Sequence, residues 1–248
     1  MEYIAFVVIL SLLVGYVICK VYSLVSEVRR DKEYIDVYQD VYGQKEGSYE
    51  KVCAYVNNTK DASYRNKGLI LKLCSELDNE LDCSETLNEL SIRDVFLGKK
   101  GHFNKELFIR NSDVYLCLYL AMAKARKKSA FTVLNSLCEK INQIPESVES
   151  VEYQLAKAIY NALTEKEDRG LQFLNDLLEG NYTQYFYDKK LIGLYKKFGA
   201  ATLAYNGELI DDTYLADLNS FAATGIGVNY LKSLDIYDQY QPVKEDKE

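Results

Sequence analysis

The residue types that usually carry chemistry are sparse in this chain and follow no catalytic spacing. His102 is the only histidine, so a multi-histidine metal site is excluded and a histidine triad is not indicated. The cysteines contain no C-x2-C pair. Cys83, in a predicted loop, is the best candidate for a reactive thiol, whereas Cys74 and Cys117 fall on predicted helices as small apolar residues. The sequence predicts no catalytic residue, no metal and no cofactor. It leaves open an enzyme with a carboxylate or thiol site.

Positive charge is concentrated in one short cluster, Lys124, Arg126, Lys127 and Lys128. Basic residues in the last turn of a helix complement the helix dipole, and the same residues are suited to contact anionic lipid or an acidic partner segment. The net charge of the whole chain is −7, which disfavours nucleic acid as a partner. The cluster is therefore a candidate contact for lipid or an acidic partner.

Tyrosine is the compositional outlier, with 22 of the 248 residues. Tyr182, Tyr185, Tyr187 and Tyr195 concentrate in one predicted helical region. Tyrosine packs between helices with its hydroxyl at the surface, and it also supplies much of the contact area of peptide-binding faces. The four residues are candidates for contact with a protein partner, with packing in the core as the alternative.

The elements that position these residues begin with an apolar segment, residues 3–25, which only Lys20 interrupts with a charge. A helix that crosses ~30 Å of hydrocarbon needs roughly 20 apolar residues, so the segment predicts an uncleaved transmembrane anchor with Lys20 at the interface. A cleaved signal peptide would need a basic start and a small-residue cleavage site. A helix packed on a soluble core would show an apolar stripe.

The charges that flank this segment predict an orientation. Lys20, Arg29 and Arg30 follow the apolar residues and are expected at the membrane interface. The positive-inside bias then places the N-terminus outside and the domain in the cytoplasm. The scattered cysteines fit reduced thiols. The inverted, extracytoplasmic topology is the alternative.

The remaining sequence predicts an all-α fold of antiparallel helical hairpins. The chain has two prolines, Pro145 and Pro242, and Val and Ile do not cluster in strand-length blocks. Helices are expected to begin at Ser48 and at Ser112 or Asp113. Others are expected over residues 29–42, 61–77, 84–97, 129–144, 147–163, 165–178, 182–198, 212–223 and 227–237. The expected organisation is an anchor at 1–26, a juxtamembrane helix at 27–46, a helical domain at 47–240 and a disordered tail at 241–248.

One part of the domain resembles a degenerate tetratricopeptide repeat. Its residues are Tyr153, Ala156 and Tyr160 on a first helix, then Gly170, Leu174 and Leu177 on a second. The pattern of the second helix also occurs about 40 residues earlier, at Ala130, Leu134 and Leu137. That offset is in the range of helical repeats. The resemblance implies stacked helical hairpins that bind protein segments, and an irregular helical bundle is the alternative fold.

Together these features predict a membrane-anchored helical scaffold or adaptor that binds protein partners at the cytoplasmic membrane face. The bilayer would be contacted through residues 3–25, and nucleic acid is not an expected partner. Two alternatives remain open: an enzyme with a carboxylate or thiol site, and an extracytoplasmic assembly factor or chaperone. The sequence does not decide the oligomeric state.

Overall fold

The computed structural model describes residues 2–97, 101–144, 150–164, 168–208 and 212–240, without the side chains of residues 2–12, 168, 212 and 213. Within these ranges the chain is helical and forms no β-strand, apart from a single antiparallel bridge between Leu97 and Phe103. The predicted all-α fold is confirmed. The expected tail at 241–248 lies outside the described residues.

The described helices follow one another with short connections. Their bounds are α1 Glu2–Tyr42, α2 Ser48–Asn58, α3 Ala62–Asp78, α4 Ser84–Glu89, α5 Ile92–Phe96, α6 Lys105–Arg110, α7 Asp113–Lys127, α8 Phe131–Asn142, α9 Val151–Thr164, α10 Asp168–Leu178, α11 Ile192–Tyr205, α12 Asp212–Phe221 and α13 Gly225–Ser233. Two 3-10 turns occupy Thr183–Tyr185 and Tyr237–Gln239.

Most of these helices begin close to where the sequence predicts, and α3 has the predicted side-chain cap. Asp61 accepts hydrogen bonds from the N–H groups of Ser63 (3.1 Å) and Tyr64 (3.3 Å), which satisfies two free donors at the start of α3. The same carboxylate accepts a hydrogen bond from Arg30 Nη1 at 2.7 Å. Asp61 therefore starts α3 and also ties it to α1.

Two predicted helices differ from the structure. The segment 84–97 divides into α4 and α5, with Leu90 and Ser91 extended between them. The segment 182–198 forms only a 3-10 turn at its start, and α11 runs from Ile192 to Tyr205. The short helix α6 was not predicted at all.

The core is built around α7. Every residue from Val114 to Ala125 is buried, and α3, α8, α9 and α13 all pack against this helix. A helix that is apolar on every face is stable in water only when other elements surround it. Lys124 is the charged residue in this stretch, and it forms an ion pair with Asp78 at the end of α3.

The packing of α9, α10 and α11 is compatible with a repeat-like arrangement. Each of these helices contacts the other two. A side chain at Gly170 would come within 2.9 Å of the Ala158 carbonyl oxygen, so the small residue allows α10 to lie close against α9. Ala156, Leu174 and Leu177 are fully buried between the helices.

The stacking does not continue as an open array to the end of the chain. Solenoid repeats contact only their neighbours, but α13 packs against both α7 and α1. Asn229 Nδ2 donates to the carbonyl oxygen of Tyr42 at 2.8 Å, and its Oδ1 accepts from Gln44 Nε2 at 3.1 Å. The last described α-helix therefore closes onto the first.

The predicted transmembrane anchor over residues 3–25 is wrong. Among the described residues, no helix combines the length and the apolarity that a membrane crossing requires. In α1 the side chains are described from Leu13, and the stretch from Leu13 to Val25 rises only about 20 Å at 1.5 Å per residue. Glu27 and Arg29 then follow. The rest of the predicted span, residues 3–12, lies outside the described side chains.

The predicted location at the cell membrane rested on that anchor and is wrong for the same reason. A single-pass membrane protein with an outside N-terminus and a cytoplasmic domain is not supported. Arg29 Nε pairs with Glu33 at 2.8 Å, and Arg30 pairs with Asp61, while Lys20 lies 5.7 Å from the ring centre of Tyr16. These three residues thus have contacts within the chain, and α1 passes through the proposed boundary at residue 26 without a break.

Candidate functional site

An open groove lies between the end of α3, α4 and the start of α8. We call it the α4–α8 groove; it has a volume of about 780 Å³. Leu77, Leu87 and Val133 give it an apolar floor. The polar lining includes Ser84, Asn88, Thr132 and Ser136.

Leu81 forms the rim of this groove, with 43% of its surface exposed. Its position follows from the way α3 ends. Glu80 adopts a left-handed conformation with φ of 56°, and the Leu81 N–H bonds back to the Glu76 carbonyl oxygen at 2.9 Å. This is the hydrogen bond of a Schellman cap, and it turns the chain out of the helix at Leu81.

A second, smaller cavity of about 240 Å³ adjoins the groove and shares Leu77 and Lys128 with it. We call it the lysine cavity, because Lys124, Lys127, Lys128 and Lys232 line it. Three of these lysines belong to the predicted basic cluster, and Lys232 on α13 was missed. The remaining member, Arg126, lies with its guanidinium carbon 5.3 Å from the ring centre of Phe131.

Four helices end around the lysine cavity. Each of α1, α3, α7 and α13 is followed by a non-glycine residue at positive φ, and the next N–H bonds back five residues along the chain. Lys127 Nζ donates to the Lys232 carbonyl oxygen at 2.6 Å in the last turn of α13. The left-handed residues are Gln44, Glu80, Ser129 and Asp235.

The lysines neutralise these helix ends. Lys128 pairs with Glu80 at 2.5 Å, Lys127 pairs with Asp235 at 2.7 Å, and Lys124 pairs with Asp78. Each helix C-terminus carries about half a negative charge. The four ends and three carboxylates together exceed the four lysines by about one negative charge. These pairs compensate the lysines within the chain, and contact of the basic cluster with lipid or an acidic partner stays a prediction.

The predicted tyrosine face is divided between surface and core. Tyr195 is fully buried, and its hydroxyl donates to the Ser112 carbonyl oxygen at 2.9 Å. Tyr182 stacks on Phe173 with ring centres 4.8 Å apart. Tyr187 packs against other aromatic rings and is half-buried. Tyr185 alone of the four is largely exposed, so its contact with a partner stays a prediction, and Tyr195 belongs to the core.

Cys83, the residue that the sequence favours as a reactive thiol, lies in the wall of the α4–α8 groove. Cys83 is buried, and burial raises the pKa of its thiol to about 11. A thiol with that pKa is protonated at neutral pH and is a poor nucleophile. His102 is exposed in the loop after Leu97.

Among the described side chains, two carboxylates are buried, and neither lines the α4–α8 groove. Glu76 Oε1 accepts a hydrogen bond from Thr86 Oγ1 at 2.7 Å. Glu152 Oε1 accepts the N–H groups of Tyr187 and Asp188, both at 3.0 Å. Burial raises the pKa of both carboxyl groups. Their partners show what they do: Glu76 joins α3 to α4, and Glu152 holds the loop before α11.

Comparison with known proteins adds no activity to this geometry. No protein-family model matches the chain, and no curated protein or solved structure matches it. Among the described residues, no group of three histidine, cysteine or acidic side chains is placed to hold a metal ion.

Proposed function

We propose that this protein is a helical scaffold or adaptor that binds a segment of a protein partner in the α4–α8 groove. The observation that carries the proposal is the exposed Leu81 above an apolar floor of Leu77, Leu87 and Val133. A groove of this kind takes an apolar anchor side chain, and such anchors supply most of the binding energy at protein interfaces.

The walls of the groove fit a peptide chain. Asn88, Thr132 and Ser136 carry amide and hydroxyl groups that donate and accept hydrogen bonds, which a peptide backbone requires. The groove is also framed by the ends of α3 and α7, which the Glu80–Lys128 ion pair joins. Binding to a preformed groove costs less ordering entropy than binding to a loop. The partner segment is therefore expected to carry an exposed leucine-like anchor.

This function is favoured over the enzymatic alternative by the protonation of the groove's thiol. Cys83 is the groove's cysteine, and its raised pKa removes the thiolate that nucleophilic catalysis needs. The buried carboxylates Glu76 and Glu152 lie elsewhere. The carboxylates that line the groove, Glu80 and Asp82, are hydrogen-bonded to Lys128 and Ser84, and these bonds lower the pKa of both carboxyl groups.

A peptide library displayed on phage tests the proposal directly. We expect the full chain to enrich peptides with a large aliphatic residue, and the Leu81→Glu variant to bind them at least tenfold more weakly. The matched control is Leu215→Glu on α12, since Leu215 is 41% exposed and lies outside the groove. It should bind like the wild type.

A second variant separates loss of binding from loss of folding. Ser136→Trp adds a bulky ring to the groove wall and leaves Leu81 intact. It should also lose peptide binding while its circular dichroism stays that of a folded helical protein. Enriched peptides that bind Leu81→Glu and Ser136→Trp as tightly as the wild type would refute the groove as the binding site.

A further inference from the structure

The described first half of α1 carries an exposed apolar stripe that no described helix of the chain covers. The stripe consists of seven side chains, each between 51% and 62% exposed. At 100° per residue these positions span an arc of about 120° around the helix. The seven residues, called here the α1 stripe, are Val14, Val17, Ile18, Val21, Leu24, Val25 and Val28.

The opposite side of the same segment is more polar or smaller. It carries Gly15, Cys19, Ser23, Ser26 and Glu27, together with Lys20 and the two tyrosines of the segment. A helix with apolar and polar residues segregated in this way buries its apolar side against another element.

The α1 stripe faces away from the rest of the molecule. Tyr34, Val37, Val41 and Tyr42 are the buried residues by which α1 packs on the domain, and Glu27 forms an ion pair with Arg110. Helical geometry places the centre of the stripe about 140° around the axis from these contacts. A partner helix can therefore lie along the stripe without meeting the domain to which α1 belongs.

The spacing within the stripe is that of a coiled coil. Val14, Val17, Val21, Leu24 and Val28 alternate at intervals of three and four residues, which are the a and d positions of a heptad. Ile35, also exposed, continues the register at the next a position. Asp31, at the d position between them, accepts a hydrogen bond from the Tyr64 hydroxyl of the same chain, so the part of the seam that is open to a second copy ends at Val28.

From this register we propose that α1 packs against α1 of a second copy of the chain as a parallel, in-register, two-stranded coiled coil. β-Branched residues at a, here all valine or isoleucine, favour two parallel strands.

The size of the stripe fits a stable pair. A specific interface buries on the order of 1,000 Å² or more in total. Seven apolar side chains on each of two copies, each at least half exposed, provide an area of that scale. The proposal uses no residue of the α4–α8 groove and stands independently of the proposed function.

Cysteine cross-linking in the full chain tests the register. In a Cys19→Ser background, Val14→Cys and Val28→Cys each place a thiol at an a position, where parallel copies bring identical residues together. Mild oxidation should give a disulfide-linked dimer on a non-reducing gel for each variant. The matched control is Ser26→Cys, on the polar side of α1, which should stay monomeric on the gel.

Two other outcomes would contradict the proposal. If neither single variant cross-links but a mixture of the two does, the helices are antiparallel and the proposal is wrong in its register. If all variants stay monomeric and the wild type sediments as a monomer at tens of micromolar concentration, no coiled coil forms.

A charge placed in the stripe tests the surface itself. Val21→Glu should weaken self-association at least tenfold in analytical ultracentrifugation, while Ser23→Glu on the polar side should not. Flotation with phosphatidylcholine vesicles provides the competing outcome. If the wild-type chain is monomeric in solution, floats with vesicles and loses this flotation in Val21→Glu, the stripe binds lipid and the proposal is overturned.

Discussion

The centre of α7 and the described part of the first half of α1, from Leu13 onward, are composed of similar apolar residues but lie in opposite surroundings. Every residue from Val114 to Ala125 in α7 is buried, whereas the α1 stripe, Val14 to Val28, is exposed. Tyrosine shows the same difference, since Tyr119 on α7 is fully buried and Tyr22 on α1 is 76% exposed. Similar side chains therefore stabilise the fold in one helix and remain exposed in the other.

Neighbouring helices produce this difference. Four helices pack on α7, so its apolar side chains are removed from water on every side. In α1, packing begins near Glu27 and Asp31, which contact Arg110 and Tyr64. Burial of apolar area provides free energy that stabilises the fold. Among the described side chains of α1, those before Ser26 are exposed and do not contribute to it within one chain.

The largest expected effect in this comparison is at Tyr119. Its ring contacts Phe198 and Tyr195 with centres 5.4 and 6.2 Å away, and its hydroxyl donates to the Glu152 carbonyl oxygen at 2.8 Å. Tyr119→Ala should lower the free energy of unfolding by about 3–5 kcal/mol, the range for removing a buried aromatic ring. Urea unfolding followed by circular dichroism measures it.

Tyr119→Phe is the matched control, because it keeps the ring and removes only the hydroxyl. The lost hydrogen bond should cost about 1 kcal/mol. If Tyr119→Ala and Tyr119→Phe were equally destabilising, burial of the ring would not be the main contribution of Tyr119 to the free energy of unfolding. The contrast between α7 and α1 would then not hold.

The sequence predicted the helices of the core well, because their signals are local. Asp61 marks the start of α3, and Ser112 and Asp113 mark the start of α7. The tertiary position of α7 was not predictable in the same way. An apolar helix is compatible with a lipid, a partner or a protein core, and the choice depends on contacts that are distant in sequence. The same ambiguity underlies the wrong membrane assignment of α1.

The candidate site was less predictable than the fold. Glu80 and Ser129 end their helices in the left-handed conformation, where sequence rules look for glycine or asparagine. Nothing in the local sequence therefore predicted that Leu81 would be exposed. The basic cluster was visible, but its partners Asp235 and Glu80 are far away in sequence. Whether lysines bind a partner or neutralise helix ends depends on that long-range packing.

An intermediate effect is expected from the buried carboxyl beside α7. Burial raises the pKa of Glu152 above the usual glutamate value of 4.5. Between that value and the raised one, the folded protein holds a proton that the unfolded chain has lost, so stability falls as pH rises through this window. Glu152→Gln removes the titration. Its free energy of unfolding should depend less on pH than that of the wild type.

Urea titrations at several pH values between 5 and 8 measure this slope. Glutamine keeps a carbonyl oxygen that can accept the N–H groups of Tyr187 and Asp188, so the loop before α11 should stay in place. Glu76, whose pKa is raised in the same direction, leaves part of the slope in the variant. Identical slopes in both proteins would show that Glu152 is not protonated in this window.

The smallest expected effect is at Tyr22, the exposed counterpart of Tyr119. Tyr22 lies beyond the edge of the α1 stripe, at an outer b position of the heptad, so neither the domain nor the proposed second copy buries its ring. Tyr22→Ala should change the free energy of unfolding by no more than about 0.5 kcal/mol, as is usual for exposed sites. Alanine also favours the helix slightly more than tyrosine. A loss above about 1 kcal/mol would exceed that surface range and would mean that Tyr22 is covered in the folded state. The contrast between α7 and α1 would then fail at the residue where it is sharpest.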